Sequence, residues 1–432
     1  MKSRLTASIL IFSLVVFMAF SLITVVGAQQ ITLSLWDQRN DSREQEAIKY
    51  IIDIFEKEHP NVKISRRVMP NLEADQMVRM AFAGGTPPDI SESEDPYTMI
   101  ETFKQGKLLD LTEWYEKYGD RYPQSAKSAM SFEGRYVAVP MIGFTTEAVF
   151  YNKKLFNEMG LTEPTEYAEL YNIFETAKGK NYIPIALGAN EGWPAQHIYQ
   201  HFLNQTVSAE AINNMIDRRD PNQGPKWTDP GWLKAAEYFD DLRTKEFFSP
   251  GAAMNSMDMA KMEQFGDRAL FLFTGNWYTS YDMPPDYEWG FFWFPRIKGE
   301  YGFDRDDQLV DFFANLQISK TTQYPELCLE FLETWTRPEV MYNSWFKIAN
   351  NLPIVIGSAP DEELDEFQNA QLDIVETNTG TYRFMDVWSP PAVGFGALYN
   401  DMTALTAGQI TPQEMCEHME KIHVEELQKL MQ

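Results

Sequence analysis

The stretch ITLSLWDQRNDSREQEAIKYIIDIFEKEHPNVKISRRVM, residues 31–69, carries two structural periods in one run. ITLSLW alternates and is β-branched, as a buried first strand would be. Ile48, Ile51, Ile52 and Phe55 then recur at helical spacing; Ser42 and Gln45 resemble a capping box, and His59-Pro60 ends the element. NVKISRRVM returns to a strand. Strand, helix, strand is the repeating unit of a parallel sheet covered by helices.

The alternation continues outward. Met77 to Ala83 reads as a short helix, AGGTPP as a turn, DI as the start of a strand, and Tyr97 to Lys104 as a helix. GRYVAVP, TTEAVFYNKKLF, a helix from Glu166 to Lys178, IPIALGA and a helix around Trp232 to Lys245 follow. ALFLF, EWGFFWF, a helix from Pro325 to Trp335 and a helical tail from Thr411 complete the pattern. Rigid Gly84-Gly85-Thr86-Pro87-Pro88 leaves Asp89 at a strand start, where it can accept from backbone amides. The fold class is therefore α/β. At 432 residues the chain exceeds one comfortable core, so two lobes or more are expected.

A net charge of −26 argues against nucleic acid or an anionic membrane surface as main partner, because both need basic patches. Residues 1–28 stand apart: Lys2 and Arg4 precede an apolar run from Ile9 to Val26, and Val26-Gly27-Ala28 offers a cleavage site before Gln29. That is the pattern of an export signal. Of the two cysteines, Cys328 and Cys416, neither lies near that point, so no lipid-anchor cysteine is expected. They could pair in an exported protein, but separate buried thiols are the preferred reading.

FLFTGNWYTSYDMPPDYEWGFFWFP, residues 271–295, holds eleven aromatic residues in twenty-five positions. Phe291, Phe292, Trp293 and Phe294 read as a mostly core strand. Trp277, directly after a Gly turn, reads instead as an accessible ring.

Several short motifs stand in a specific order: AGGTPPDI (83–90), LLDLTEW (108–114), FEGRYVAVP (132–140), VFYNKKLFNEMGL (149–161), FTGNW (273–277), WFP (293–295) and PELCLEFLETWTRPEVM (325–341). Together they resemble the maltose-binding-protein-like extracellular solute-binding proteins, family 1, of ABC sugar importers. The resemblance implies a two-lobed periplasmic-binding-protein fold, type II, each lobe a mainly parallel sheet covered by helices, with a hinge of several crossings. It implies residues 29–143 plus 296–350 as the N-terminal lobe and 144–295 plus 351–432 as the C-terminal lobe, with crossings at Ile142 to Thr146, near Pro295 and near Asn350.

A ligand is then expected between the lobes, at the carboxyl ends of strands. Sugars present apolar faces and hydroxyl edges, which suit flat rings with a polar handle together with carboxylates and amides. The resemblance assigns stacking to Trp193, Trp277 and Trp388. It assigns hydroxyl recognition to Asp37, Gln38, Arg39 and Asn40 after the first strand, to Glu94 and Asp95 after DISES, and to Thr145 and Glu147 at the crossing. The sequence departs from the maltose pattern, with Thr145 where that pattern has a carboxylate and Ser93 where it has an aromatic.

The expected partners are a di- or oligosaccharide and the membrane permease subunits of an ABC importer, with a monomeric receptor in the periplasm or outside the cell. No catalytic residue, cofactor or metal is assigned. A secreted glycoside hydrolase would share the acidity and the aromatics, and would need two carboxylates about 5 to 10 Å apart across the sugar bond; a binding protein for a non-sugar solute is the other alternative. His197 and His201 in HIYQH could share a helix face for zinc, but Ile198 stands where H-E-x-x-H needs Glu, so ordinary helical residues are expected. Asp304 to Asp307 fails the calcium-loop pattern for want of a Gly.

Overall fold

In a computed structural model describing residues 30–69, 71–299, 308–312, 314–377 and 383–431, the opening unit forms as the two periods require. Strand β1 (Ile31–Asp37) buries Leu33 and Leu35 and runs parallel to β2 (Val62–Val68), in register from Ile31 with Val62 to Asp37 with Val68. The helix Ser42–Glu58 between them buries Ala47, Ile48, Ile51 and Phe55. Its N-cap is Asp41, without a side-chain cap bond, so the expected capping box does not form; Gln45 instead donates to the carbonyl of Asn40 at 2.6 Å. Strand β3 (Ile90–Ser93) joins β1 in parallel. Asp89, just before it, accepts from the Ser34 amide at 2.8 Å and the Ser34 hydroxyl at 2.7 Å, welding the start of β3 to β1.

After a small hairpin of β4 (Ser131–Phe132) and β5 (Arg135–Tyr136), β6 (Val139–Pro140) enters the first sheet. Next come β7 (Thr145–Asn152), β8 (Ile183–Ala186), β9 (Ala269–Gly275), β10 (Trp289–Phe292), β11 (Val310–Asp311) and β12 (Asn315–Ile318). The first sheet has the order β2-β1-β3-β12-β6, the second β10-β7-β9-β8, with β11 added on β7. Both sheets are mixed. The parallel pairs are β2-β1-β3 and β8-β9, whose connections run through helices; the strands that arrive from the other sheet, β7 and β12, pair antiparallel. Separate apolar cores lie around the sheets: Leu33, Phe55, Trp335 and Trp345 in one, Phe174, Phe202, Trp227 and Phe239 in the other. Cys328 and Cys416 are free thiols buried in different cores. This is an α/β fold with two lobes.

The chain first passes between sheets from β6 to β7, over Met141 to Phe144. Further along, β11 pairs with β7, its Asp311 facing Thr145, and the chain joins the first sheet at Asn315. The Asp311 side chain holds the amides of Phe312 and Phe384 and so anchors the segment. Near Asn350 the chain meets the second lobe, the Asn350 carbonyl accepting from Thr279 Oγ1 at 2.6 Å and the Ala349 carbonyl from Ser280 Oγ at 2.9 Å. Leu352 and Val355 still pack in the first core, and the helix Glu366–Thr377 lies between the two, with Phe367 against Phe150 and Phe291, and Gln371 on Thr146.

The aromatic run divides by face. Phe271 and Phe273 on β9 and Phe292 and Phe294 near β10 are buried, while Phe291 and Trp293 are half-buried on the opposite face, against Phe367. Residues 1–28 and 304–307 lie outside the described residues, within which no helix is long and apolar enough to cross a membrane.

Candidate functional site

One wall of the site grows from β9. Its last residue, Gly275, has no room for a side chain: a Cβ there would lie 2.2 Å from Cζ3 of Trp277, so glycine lets the indole lie across the strand end. The next turn, Asn276–Ser280, is fixed by Asn276, which donates to the Phe144 carbonyl at 3.1 Å in the crossing segment. Gly192, with φ of +80°, starts the helix Trp193–Thr206; a Cβ there would meet Cβ of Tyr399 at 2.3 Å. Trp193 therefore begins a helix against a fixed ring, and its Nε1 donates to Glu191 at 2.9 Å.

The two indoles meet edge to face at 6.1 Å, and the His197 ring lies 5.1 Å from Trp193 and 5.9 Å from Trp277. Behind them Glu147 on β7 is fully buried, with His197 Nδ1 at 2.8 Å and His201 Nε2 at 3.5 Å. Burial alone would raise the Glu147 carboxyl; the two imidazoles outweigh it and hold it down at about 2. Burial likewise works against a charged His197, and Glu147 then raises it above its ordinary value. The helical spacing of His197 and His201 thus serves a carboxylate, and among the described residues no group of side chains has the arrangement of a metal site.

Asp386 and Tyr399 complete this wall. The Tyr399 hydroxyl donates to Asp386 Oδ2 at 2.8 Å, while Oδ1, buried, has no partner among the described residues. Trp388, half-buried one turn from Phe384, donates from Nε1 to Asp311 at 2.8 Å and carries Arg383 over its ring at 5.3 Å.

The opposite wall is ionic. Arg39, after β1, is held by Glu92 and Glu94 of the β3 end, with Glu44 at 4.0 Å. Glu92 also accepts from the Gln38 amide at 3.0 Å. Asp75 accepts from Ser93 Oγ at 2.9 Å and the Glu94 amide at 3.2 Å. Asp95 caps the helix Pro96–Lys104 through the Thr98 amide and pairs with Arg79, each at 2.8 Å. Burial, then Coulombic repulsion from neighbouring carboxylates, pushes Asp75 up to about 7. Burial, only partly offset by Arg39, lifts Glu44 to about 7 and Glu92 to about 8.

The walls face each other. Arg79 lies 5.7 Å over Phe395, Arg43 donates to the Thr279 carbonyl at 3.3 Å, and Lys261 reaches Asp41 at 3.5 Å. Glu94 acts electrostatically on both His197 and Tyr399, and Asp75 on Tyr399.

Of the residues singled out from sequence, Trp193, Trp277 and Glu94 come together at this seam, with Arg39 behind Glu94. Trp388 stands one helical turn away. Asp37, Gln38 and Asp95 are framework: Asp37 forms a two-bond pair with Arg66 at 2.6 and 2.7 Å, Gln38 is held by its amide, and Asp95 is a cap. Asn40 is exposed, Thr145 lies opposite Asp311 at the crossing, and Glu147 sits beneath the aromatic wall. Sequence reasoning missed Glu44, Asp75, Glu92, Asp386 and Tyr399, and weighed His197 only as a zinc ligand or an ordinary helical residue. Three gave a usable signal: His197 shares a helix face with His201, Glu92 stands two before Glu94, and Asp386 precedes Trp388 by two.

Residues 40–342 match the family of bacterial extracellular solute-binding proteins, and the chain belongs to that family. It is 25% identical over 245 residues to an ABC transporter extracellular-binding protein of Pyrococcus horikoshii, covering 55% of this chain and 54% of that one. It is 26% identical over 276 residues to the multiple sugar-binding protein of Streptococcus mutans, covering 60% and 61%. The chain thus spans between half and two thirds of the length of these relatives. Among solved structures, a chitin oligosaccharide binding protein superposes with a TM-score of 0.82 at 21% identity, covering 92% of this chain and 98% of that one, which fixes the two-lobed binding-protein fold.

Proposed function

We propose that this chain is an extracytoplasmic receptor that captures a carbohydrate, a disaccharide or longer, between its two lobes and presents it to the permease subunits of an ABC importer. The observation that carries this reading is the Trp193–Trp277 pair, edge to face at 6.1 Å on a glycine-opened strand end, opposite Arg39, Glu92 and Glu94. Rings for the sugar's C–H faces and ionic groups for its hydroxyl edges stand on different lobes. Only a ligand touching both favours closure, and closure is the signal the permease reads. The relative from Streptococcus mutans, named as sugar-binding, supports the same substrate class.

In this reading no bond is broken, the lobes move as bodies built on the β2-β1-β3-β12-β6 and β10-β7-β9-β8 sheets, and the receptor works as an exported monomer after loss of residues 1–28. Calorimetry and thermal shift against a panel of oligosaccharides, with small-angle scattering for closure, test it. A sugar should bind, raise the melting temperature by mass action and shrink the radius of gyration without being cleaved. Release of monosaccharide would favour a hydrolase, and stabilisation by non-sugar solutes alone would overturn the carbohydrate assignment.

A further inference from the structure

The seam holds more acids than bases. With Glu147 balanced by His197 and Asp37 by Arg66, six carboxyl groups remain, Glu44, Asp75, Glu92, Glu94, Asp95 and Asp386, against the guanidiniums of Arg39 and Arg79; burial keeps the proton on Glu44, Asp75 and Glu92 up to about neutral pH, so their negative charge develops fully only when a cation offsets it. The rim cations offset this only in part. Lys261 is matched by Asp41 at 3.5 Å and Asp258 at 2.8 Å, while Arg43, which donates to the neutral Thr279 carbonyl, adds one positive charge at the edge. Two carboxylate oxygens, Glu44 Oε1 and Asp386 Oδ1, have no hydrogen-bond partner among the described residues although their side chains are almost wholly buried, the residues being 3% and 1% exposed. Asp386 Oδ1 lies on the indole wall, beside His197 and Tyr399, on which Glu94 and Asp75 act from the other lobe. Buried carboxylates in such excess are costly unless a positive group joins them.

We propose, resting on the carbohydrate reading above, that the ligand is cationic: an amino-sugar oligosaccharide whose free ammonium lies among Asp386, Asp75 and Glu94 while its ring packs on Trp193 and Trp277. The ammonium supplies three donors to acceptor-only groups, and the indole faces attract the same charge. An N-acetylated or all-hydroxyl sugar brings no charge to offset the excess. The elevated proton affinity of Asp75, Glu44 and Glu92 agrees: their acid forms persist to neutral pH because burial and mutual repulsion are not compensated.

The test is calorimetry on the full mature chain at low salt with four probes: the glucosamine disaccharide, its doubly N-acetylated form, the glucose disaccharide of the same linkage, and a linear diamine. The amino disaccharide should bind about tenfold more tightly than either neutral sugar, since charge-assisted hydrogen bonds are roughly twice as strong as neutral ones. Its binding should release protons into the buffer, as the carboxyls ionise around it, and should weaken with salt. Asp386→Asn, which keeps an oxygen for Tyr399, should reduce the ratio of amino-sugar to neutral-sugar affinity toward one. Neutral sugars binding as tightly as the amino sugar would overturn the cationic inference and leave the carbohydrate reading standing. The diamine binding where no sugar does would overturn both, as would failure of all four.

Discussion

The two walls of the seam solve the same problem with opposite materials. On the indole wall, glycine makes the room: Gly275 leaves space for the Trp277 ring and Gly192 for Tyr399, and the indoles are then steadied by one another, by the His197 ring and by the Glu191 acceptor of Trp193. On the ionic wall, position comes from charge: Arg39 holds Glu92 and Glu94, Arg66 holds Asp37, Arg79 holds Asp95, and each group doubles as scaffold. A ring in such a site can be removed without much harm to the lobe, whereas a charge cannot.

Arg39→Ala breaks that contrast most severely. It strands Glu92 and Glu94 without their cation, and losing one partner of a buried pair costs about 3–5 kcal/mol. Chemical denaturation should show that loss together with loss of sugar binding. Trp277→Ala is the counterpart on the other wall. Affinity should fall by about 2 kcal/mol or more by calorimetry if the ring is a central contact. The melting temperature should fall far less than in Arg39→Ala, because the indole is only half-buried. Equal destabilisation by both substitutions would show that the walls are not built differently.

The contrast also explains what the sequence revealed. Periodicity placed the elements of residues 31–69 because each lies on one face of a local unit, and the Gly-Asn-Trp turn marked Trp277 because a turn after a buried strand must reach an edge. Asp37 and Glu147 carried the same outward appearance as Glu94, yet one is tied to Arg66 and the other to two histidines fifty residues on. No local pattern encodes such distant pairing. The pairing of β11 with β7 at Asp311 was hidden for the same reason: a two-residue strand has too few side chains to set a period, and its place is fixed by Phe384 and Trp388, more than seventy residues away.

A smaller effect probes the edge of the indole wall. Trp388→Phe keeps a flat ring but removes the Nε1 donor to Asp311, whose carboxyl burial already raises to about 6. The cost should be about 1.5–3 kcal/mol of stability, the range for a lost hydrogen bond to a charged group. If sugar affinity falls by more than stability, Trp388 belongs to the site; if stability alone falls, it is a brace for the crossing.

The smallest effect bears on the sign of the ionic wall. Glu44 is raised to about 7 from an ordinary value near 4.5, with burial the leading cause and Arg39 opposing it. Between pH about 4.5 and 7 the folded chain therefore keeps a proton that the unfolded chain releases, so stability falls as pH rises through that window and levels off above it. Asp75 and Glu92 add the same slope. Buried His423, lowered to about 4, gives the opposite slope below about 6.5, so the carboxyl contribution is read as the difference between wild type and variant at each pH. Glu44→Gln imitates the protonated acid in shape and charge, so it should match wild type at pH 5. At pH 8 it should be the more stable by about 1 kcal/mol, a modest gain because a buried amide still costs desolvation. If Glu44→Gln is instead the less stable at pH 8, attraction to Arg39 outweighs desolvation at this position. The ionic wall would then be balanced within itself, with no surplus of negative charge left to meet a cationic ligand.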